Sequence, residues 1–328
     1  MEAMKTKTVS EIHDEVPAVK PKMNSTWLRN LTPFFGFIAI VAVFSILTGG
    51  KIIRPENLSL MLSQVYVLMI SSTGVFMVMT VGGLDFSQGS ILGLASIVFC
   101  WVSHYNIILG VIAATLAGAA MGAFNGLFHV KFKIASFIVT ICTMYFFRGL
   151  CKYITTNGPV PASMEVVALN QTWFKVLLTA IVLVVCFFVF HCTRVGYDLR
   201  AIGAGETAAR FSGCRPDLTK FLVYTMSGAL TGFASFINVI QVGSITGTAG
   251  TQLETKILIA LVLGGMPISG GARARFSNII IGTLTYCVLE KSLPMVFPVS
   301  ATQQLVKGII FLIVVALTID HKSLRVIK

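Results

Sequence analysis

Long apolar runs separated by short polar gaps dominate this chain. An α-helix needs about 20 residues to cross the apolar core of a bilayer. The pattern predicts ten such helices, near residues 33–49, 58–81, 89–104, 107–128, 134–150, 173–191, 218–240, 254–268, 277–290 and 304–319. The runs that begin at 89, 254 and 277 are short, so we expect tilted, broken or re-entrant helices there.

The pattern therefore predicts an all-α integral membrane protein of about ten transmembrane helices. Residues 1–32 are expected to form a disordered cytoplasmic tail, 33–320 the transmembrane domain, and 321–328 a cytoplasmic C-terminal tail. This orientation places 17 of the 25 Lys and Arg residues in the cytoplasm and 8 outside, as the positive-inside rule expects. The first 32 residues lack the apolar core and cleavage site of a signal peptide, so no cleaved signal is expected.

Composition agrees with a membrane location. Hydrophobic residues make up 55% of the chain and charged residues 12%, with a mean hydropathy of +0.85, whereas soluble domains carry about 25% charged residues. Basic residues beside the spans meet anionic lipid and account for the net charge of +12, so no nucleic-acid partner is predicted. The seven cysteines and five histidines lack metal-ligand spacing, and no metal site is expected.

A polar segment at 193–217 is the longest cytoplasmic interruption after the N-terminal tail. Within it, Glu206 suits a helix N-terminus and stands four residues before Arg210, while Pro216 prevents further extension. These features predict a two-turn helix at 206–212. A simple linker between two spans is the alternative interpretation.

Two small residues in this segment, Ala208 and Ala209, would let the helix lie flat in a groove of another protein.

The residues at 203–208 also fit the dinucleotide fingerprint G-x-G-x-x-A. That fingerprint requires a βαβ unit, whereas here a membrane span follows, so a dinucleotide site is rejected.

A second polar cluster lies at 82–90 between two apolar runs. Its notable residue is Asp85, because a carboxylate at membrane depth is costly and usually faces a pathway or a partner. The pair Gly82 and Gly83 permits an unwound turn, and Asp85 with Ser87 could instead cap the next helix. Both interpretations of Asp85 stay open.

A third cluster, at 263–275, repeats part of this lettering. Val-Gly-Gly-Leu-Asp-Phe-Ser-Gln-Gly at 81–89 aligns without gaps with Leu-Gly-Gly-Met-Pro-Ile-Ser-Gly-Gly at 263–271. Internal repeats are common in transporter folds, although Gly-rich apolar chains also match by chance. Pro267, between two Gly pairs, must interrupt the helix in either case.

Together these clusters resemble the permease subunits of ribose-type ABC sugar importers, the family that also serves galactose, xylose and arabinose. The resemblance covers about residues 35–320 and rests on three runs: GG-[IL]-D-[LF]-S-x-G-S at 82–90, A-I-G-x-x-x-x-A-A-x-x-S-G at 201–213 and L-G-G-x-x-x-x-G-G at 263–271. The chain departs from the family in having Phe86 for the usual Leu, and in carrying Cys214. It also has Arg273 or Arg275 where another Gly is common.

The resemblance implies a dimeric permease core, of identical or different copies, with two ATPase subunits below it and a soluble sugar-binding protein outside. The chain lacks a G-x-x-x-x-G-K-[ST] phosphate loop, so we expect no catalytic residue and no cofactor of its own, with ATP used by the partner. The segment at 206–212 would be the helix that couples to the ATPase. The expected coupling residues are Gly203, Gly205, Glu206, Ala208, Ala209, Arg210, Ser212 and Gly213.

The substrate pathway is expected at small and polar positions near the span breaks of a bacterial cytoplasmic-membrane protein. These positions are Gly82, Gly83, Asp85, Ser87, Asn125, Gln241, Gly264, Gly265 and Pro267. One alternative is an ABC permease for an amino acid or a nucleoside. Another is a stand-alone secondary transporter, which would need an ionisable pair near the midplane, with Asp85 as the candidate.

Overall fold

The computed structural model describes residues 25–267, 270–271 and 274–318. Residues 1–32 separate from the remainder as a unit of their own, of which the structure describes the helical residues 25–32. The described α-helices are α1 (Ser25–Leu47), α2 (Pro55–Thr80), α3 (Gln88–Ser103), α4 (Ile107–Lys131), α5 (Ser136–Ile154), α6 (Met164–Ala168), α7 (Thr172–Cys192), α8 (Arg194–Ala204), α9 (Glu206–Phe211), α10 (Pro216–Val242), α11 (Leu253–Leu263), α12 (Ser277–Val296) and α13 (Ser300–Thr318).

Each of the ten apolar runs coincides with a helix. Among the described residues, six helices are long and apolar enough to cross a membrane, namely α2, α4, α5, α7, α10 and α12. Helix α3 and parts of α1 and α13 are shorter apolar helices. The described strands have two residues each, so the all-α membrane class is confirmed. Several boundaries differ from the prediction by three residues or more; α12, for example, continues to Val296 instead of 290. Helix α1 begins at Ser25, inside the predicted disordered tail, and the run at 254–268 stays helical only to Leu263.

Two helices form the centre of the bundle. Within the most apolar 18-residue stretch of each helix, 83% of the residues are buried in α2 and 67% in α10, whereas 22% are buried in α7. Membrane helices lack a hydrophobic drive to associate and therefore pack closely through small residues. A methyl group at Gly118 of α4 would overlap the carbonyl oxygen of Gly228 in α10, and one at Gly228 would overlap that of Gly118. Glycine thus brings the α4 and α10 backbones into contact.

Both predicted helix breaks are present. Residues 81–87 separate α2 from α3, and residues 264–276 separate α11 from α12. The φ angles are +83° at Gly82 and +87° at Gly265. Residues other than glycine rarely adopt this left-handed backbone conformation. The Gly pairs therefore end the preceding helices and turn the chain.

The two ends of the bundle differ. At the C-terminal end of α10, strand β1 (Val160–Pro161) pairs antiparallel with β2 (Ser244–Ile245). At the N-terminal end of α10 lie α8 and α9, which join α7 to α10. This second end carries the predicted coupling segment.

Candidate functional site

A buried network of polar side chains surrounds Asp85 at the break before α3. Asp85 is 1% exposed. Its Oδ1 accepts hydrogen bonds from the Ser87 amide at 2.9 Å and the Ser87 hydroxyl at 2.6 Å, and its Oδ2 accepts one from Gln88 Nε2 at 2.6 Å. Asn125 Nδ2 of α4 donates to Ser87 Oγ at 2.8 Å. Asp85, Ser87 and Asn125, three of the predicted pathway residues, are thus brought together.

Gln88 extends this network to α10. Its Nε2 donates to Ser227 Oγ at 3.0 Å, and the hydroxyl of Thr231 donates to Gln88 Oε1. Gln88, Ser227 and Thr231 are completely buried. Sequence reasoning missed Gln88, although an uncharged polar residue next to Asp85 at the start of an apolar run was a usable signal. The hydrogen bonds of this network connect the break at 81–87 and the start of α3 to α4 and α10.

Removing the Asp85 carboxylate should destabilise the protein. In Asp85→Ala the buried donors of Ser87 and Gln88 lose their acceptor, at a cost of about 2 to 5 kcal/mol for the set. Asp85→Asn should cost less, because its Oδ1 can still accept from Ser87. Thermal unfolding of the purified chain in detergent measures the difference. The control is Asp217→Ala, whose carboxylate is 63% exposed; an equally small effect of Asp85→Ala would contradict the network.

Of the remaining predicted pathway residues, Gly82 and Gly83 lie in the same break as Asp85, whereas the other four lie elsewhere. Gln241, near the end of α10, donates from Nε2 to the Ser63 carbonyl at 2.7 Å, far along α10 from the network. A methyl at Gly264 would overlap the carbonyl of Asn278 in α12, so Gly264 packs α11 against α12. Pro267 lies in the break and is partly exposed. A role of these residues in a pathway stays a prediction.

The three Gly-rich motifs meet at the end of α2. A methyl at Gly203 of α8 would overlap the Thr80 carbonyl oxygen and lie 3.1 Å from Gly271 Cα, and one at Gly270 would lie 3.0 Å from Gly82 Cα. The Gly271 amide donates to the Thr80 carbonyl at 3.3 Å. We call Gly82, Gly203, Gly270 and Gly271 the glycine junction. It brings both helix breaks and α8 into backbone contact, which the sequence motifs did not predict. Arg273 lies outside the described residues.

The predicted helix at 206–212 is present as α9, which ends at Phe211. Lys220 Nζ of α10 lies 2.6 Å from Glu206 Oε2, and Arg210 lies 3.6 Å from Glu206 and 3.5 Å from Asp217. The hydrogen bond from Lys220 lowers the pKa of Glu206, which keeps that carboxylate charged. These ion pairs hold α9 on the first turn of α10.

The faces of α9 differ partly from the prediction. Ala208 is exposed, whereas Ala209 is 3% exposed. The expectation that both alanines present a docking face is therefore wrong for Ala209, which packs against its own chain. Phe211, at the end of α9, is 88% exposed. Gly213 turns the chain with φ +88°, and the hydroxyl of Ser212 donates to the Ala208 carbonyl at 3.0 Å.

Sequence reasoning also missed charged groups that pair between helices. Arg148 of α5 lies 3.4 Å from Glu254 at the start of α11, with the two side chains 17% and 10% exposed. A methyl at Gly89 would overlap a Glu254 carboxylate oxygen. Glu254 is therefore a second acidic residue, besides Asp85, that lies largely buried within the helix bundle. The Arg148–Glu254 pair ties α5 and α11 to the start of α3.

A second charged group joins the last three helices. Glu290 of α12 lies 2.7 Å from Lys256 of α11 and 3.8 Å from Lys307 of α13. Glu290, Lys256 and Lys307 therefore form one ion-pair group that links the three helices.

Comparison with known proteins identifies the family of this polytopic helix bundle. A family described as "Branched-chain amino acid transport system / permease component" matches residues 57–315, which include both breaks, the glycine junction and α9. The chain belongs to this permease family. The predicted resemblance to importer permeases is confirmed, and the permease is a multi-pass membrane protein rather than an enzyme.

Individual relatives cover nearly the whole permease. The ribose import permease protein of Escherichia coli (strain K12) is 30% identical over 309 residues, covering 90% of this chain and 95% of the relative. That of Bacillus subtilis (strain 168) is 33% identical over 306 residues, covering 90% and 94%. The D-allose transport system permease protein of Escherichia coli (strain K12) is 25% identical over 317 residues, covering 94% and 97%. No solved structure matches the chain.

Proposed function

We propose that this permease forms the membrane pathway of an ATP-driven importer for a monosaccharide. The observation that carries the proposal is the full-length similarity to permeases named for ribose and D-allose, at 25% to 33% identity. A further relative of 25% identity is named for xylose. The family description names branched-chain amino acids, so an amino-acid or nucleoside permease is the second candidate.

We infer ten membrane crossings, with both termini in the cytoplasm. The support is that each apolar run is a helix and that α10 separates the two ends of the bundle. The end with α8 and α9 carries Arg194, Arg200, Arg210, Arg215 and Lys220, which suits the cytoplasmic side. The end with β1 and β2 then faces outwards. In this arrangement 33–320 is the transmembrane domain and 1–32 and 321–328 belong to the cytoplasm.

In the proposed assembly, two permease copies, identical or different, stand side by side in the lipid. A sugar-binding protein delivers solute to the end with β1 and β2, and an ATPase that uses the ATP docks on the segment 193–217. The exposed side of α9 supports this docking, because it offers Ala208, Arg210 and the ring of Phe211 on a helix already fixed to α10. The permease itself needs no cofactor in this scheme.

The glycine junction gives a physical route for coupling. Movement of α9 by an ATPase would move α8, to which it is joined at Gly205. Because Gly203 of α8 contacts Thr80 and Gly271 through backbone atoms, α8 cannot shift without displacing the end of α2 and the second break. Packed backbones transmit displacement because no flexible side chain intervenes. We propose that the two breaks move together and that solute passes beside them.

An uptake competition tests the solute class. The permease, expressed with its ATPase and binding protein, should accumulate a radiolabelled monosaccharide such as ribose. The degree to which excess unlabelled xylose or allose inhibits this uptake identifies the preferred sugar. Excess leucine or adenosine should leave uptake unchanged. Accumulation of labelled leucine but no sugar would establish the second candidate. Uptake that persists without the ATPase would favour a secondary transporter.

A further inference from the structure

A cavity of about 380 Å³ opens between the first turns of α8 and α10. It belongs to the same size class as small-molecule sites, which measure about 300 to 1,000 Å³. The lining side chains used below are Arg194, Asp198, Arg215, Leu218 and Leu222. The cavity is distinct from the Asp85 network and from the glycine junction.

The lining of the cavity carries a net positive charge. Arg194 and Arg215 are exposed, and their guanidinium groups have no ion-pair or hydrogen-bond partner among the residues that the structure describes. Asp198 is the acidic lining residue, and its Oδ1 already accepts a hydrogen bond from Cys214 Sγ at 3.3 Å. Two unpaired cations therefore outweigh one carboxylate.

Two helix N-termini add to this positive potential. Helix α8 starts at Arg194 and α10 at Pro216, and neither N-cap side chain makes a capping hydrogen bond. Pro216 has no amide hydrogen, so α10 contributes its later amides, and the carboxylate of Asp217 in this turn is paired with Arg210. The first amides of a helix carry partial positive charge and lack partners within the helix. A phosphate between the two N-termini would satisfy such amides while both arginines neutralise its charge.

The other side of the cavity is apolar and open to the outside of the bundle. Leu218 and Leu222 are 50% and 40% exposed, and their spacing of four residues places them on one face of α10. Helix α10 has the length and hydropathy of a membrane span. An anion in this cavity thus lies beside an apolar strip that runs along the span.

We propose that this cavity binds an anionic phospholipid of the cytoplasmic leaflet. The phosphate lies between Arg194 and Arg215, and an acyl chain follows Leu218 and Leu222. Basic pockets between membrane helices on the cytoplasmic side suit such head groups. The bound lipid would bridge α8 to α10 and thereby steady α9, which lies between them in the chain. The choice of leaflet rests on the proposed orientation, whereas the binding itself does not.

Native mass spectrometry of the full chain in detergent tests the proposal. Phosphatidylglycerol should bind at least about tenfold more tightly than phosphatidylcholine with the same acyl chains. Each cation near a net anionic head group strengthens binding about fivefold, whereas the choline cation neutralises the phosphate of phosphatidylcholine. The double substitution Arg194→Gln and Arg215→Gln should remove this preference. The matched control is Lys131→Gln with Lys133→Gln, two exposed basic residues at the C-terminal end of α4, which should retain it. Equal lipid preference in both double variants would overturn the proposal.

A variant that strengthens lipid binding shows that misfolding is not the cause of the lost preference in the double arginine variant. Asp198→Asn removes the cavity's carboxylate and should strengthen phosphatidylglycerol binding severalfold, which a damaged fold cannot do. Inorganic phosphate and glycerol phosphate separate the two possible sources of the anion. Displacement of the lipid by either at equal concentration would assign the cavity to a free phosphate and refute the lipid. Lipid retention, together with weaker binding in Leu218→Ser, supports it.

Discussion

Substitution of Gly203 by Ala should reduce solute uptake by at least about tenfold. The new methyl would overlap the Thr80 carbonyl oxygen and press on Gly271, both of which are backbone atoms that cannot rotate away. Overpacking of this kind costs about 1 to 3 kcal/mol, and relief requires α8 to move from the end of α2. Uptake by whole cells, normalised to the amount of permease in the membrane, measures the effect. Transport-coupled ATP turnover should fall with it.

The matched control is Gly149→Ala in α5, because a methyl at Gly149 would have no neighbour within 4 Å. Gly205→Ala, by contrast, tests a contact with the partner. A methyl at Gly205 would have the Ala208 Cβ at 4.0 Å as its neighbour, and the backbone there is extended, with φ 166°. The fold therefore gives no reason for glycine at this position, although the coupling role predicted for Gly205 concerns a docked partner. Normal uptake in Gly203→Ala would show that the glycine junction does not transmit movement. A loss in Gly205→Ala with an unchanged unfolding temperature would indicate that the partner contacts this position.

Hydropathy was sufficient to locate the membrane helices because burial in lipid makes almost every position of a span apolar. All ten runs are helical over most of their length for this reason. The chain breaks at both Gly pairs, 82–83 and 264–265, although the second break comes five residues before the predicted end of its run. Helix α8 was not predicted. It contains Gly196 and Gly203, which lower helix propensity, but each lies against a neighbouring backbone that leaves no room for a side chain. Tertiary packing outweighs local propensity in α8.

The candidate site was predictable only where its parts are close in the chain. Asp85, Ser87 and the break stood out together, because a carboxylate between two spans is rare. The side chains that contact the break from other helices could not be predicted from sequence spacing. Gln88 bonds to Ser227, which is 139 residues away in the chain, and Arg148 bonds to Glu254, which is 106 residues away. A single sequence records no distances between helices. The meeting of three Gly-rich motifs at one point is likewise a product of helix packing.

Substitution of Phe211 by Ala should weaken association with the ATPase by about 30-fold or more. Phe211 is 88% exposed on a helix that Lys220 and Arg210 hold rigid through Glu206, so the ring is presented without a conformational cost. Central aromatic side chains of an interface typically contribute 2 kcal/mol or more when truncated. Copurification of the ATPase with the permease, and uptake, should both fall. The unfolding temperature should not change, because an exposed ring adds little to the fold.

The control for Phe211→Ala is Phe132→Ala, which removes an aromatic ring that is 57% exposed just after α4. Phe132 lies outside the segment 193–217, so its loss should leave the ATPase bound. Replacement of 206–212 by a flexible Gly-Ser linker should abolish uptake while leaving membrane insertion intact, because the helix and its ion pairs disappear together. If Phe211→Ala retained the ATPase as firmly as Phe132→Ala, docking would have to use another face of the cytoplasmic end, and α9 would be a linker.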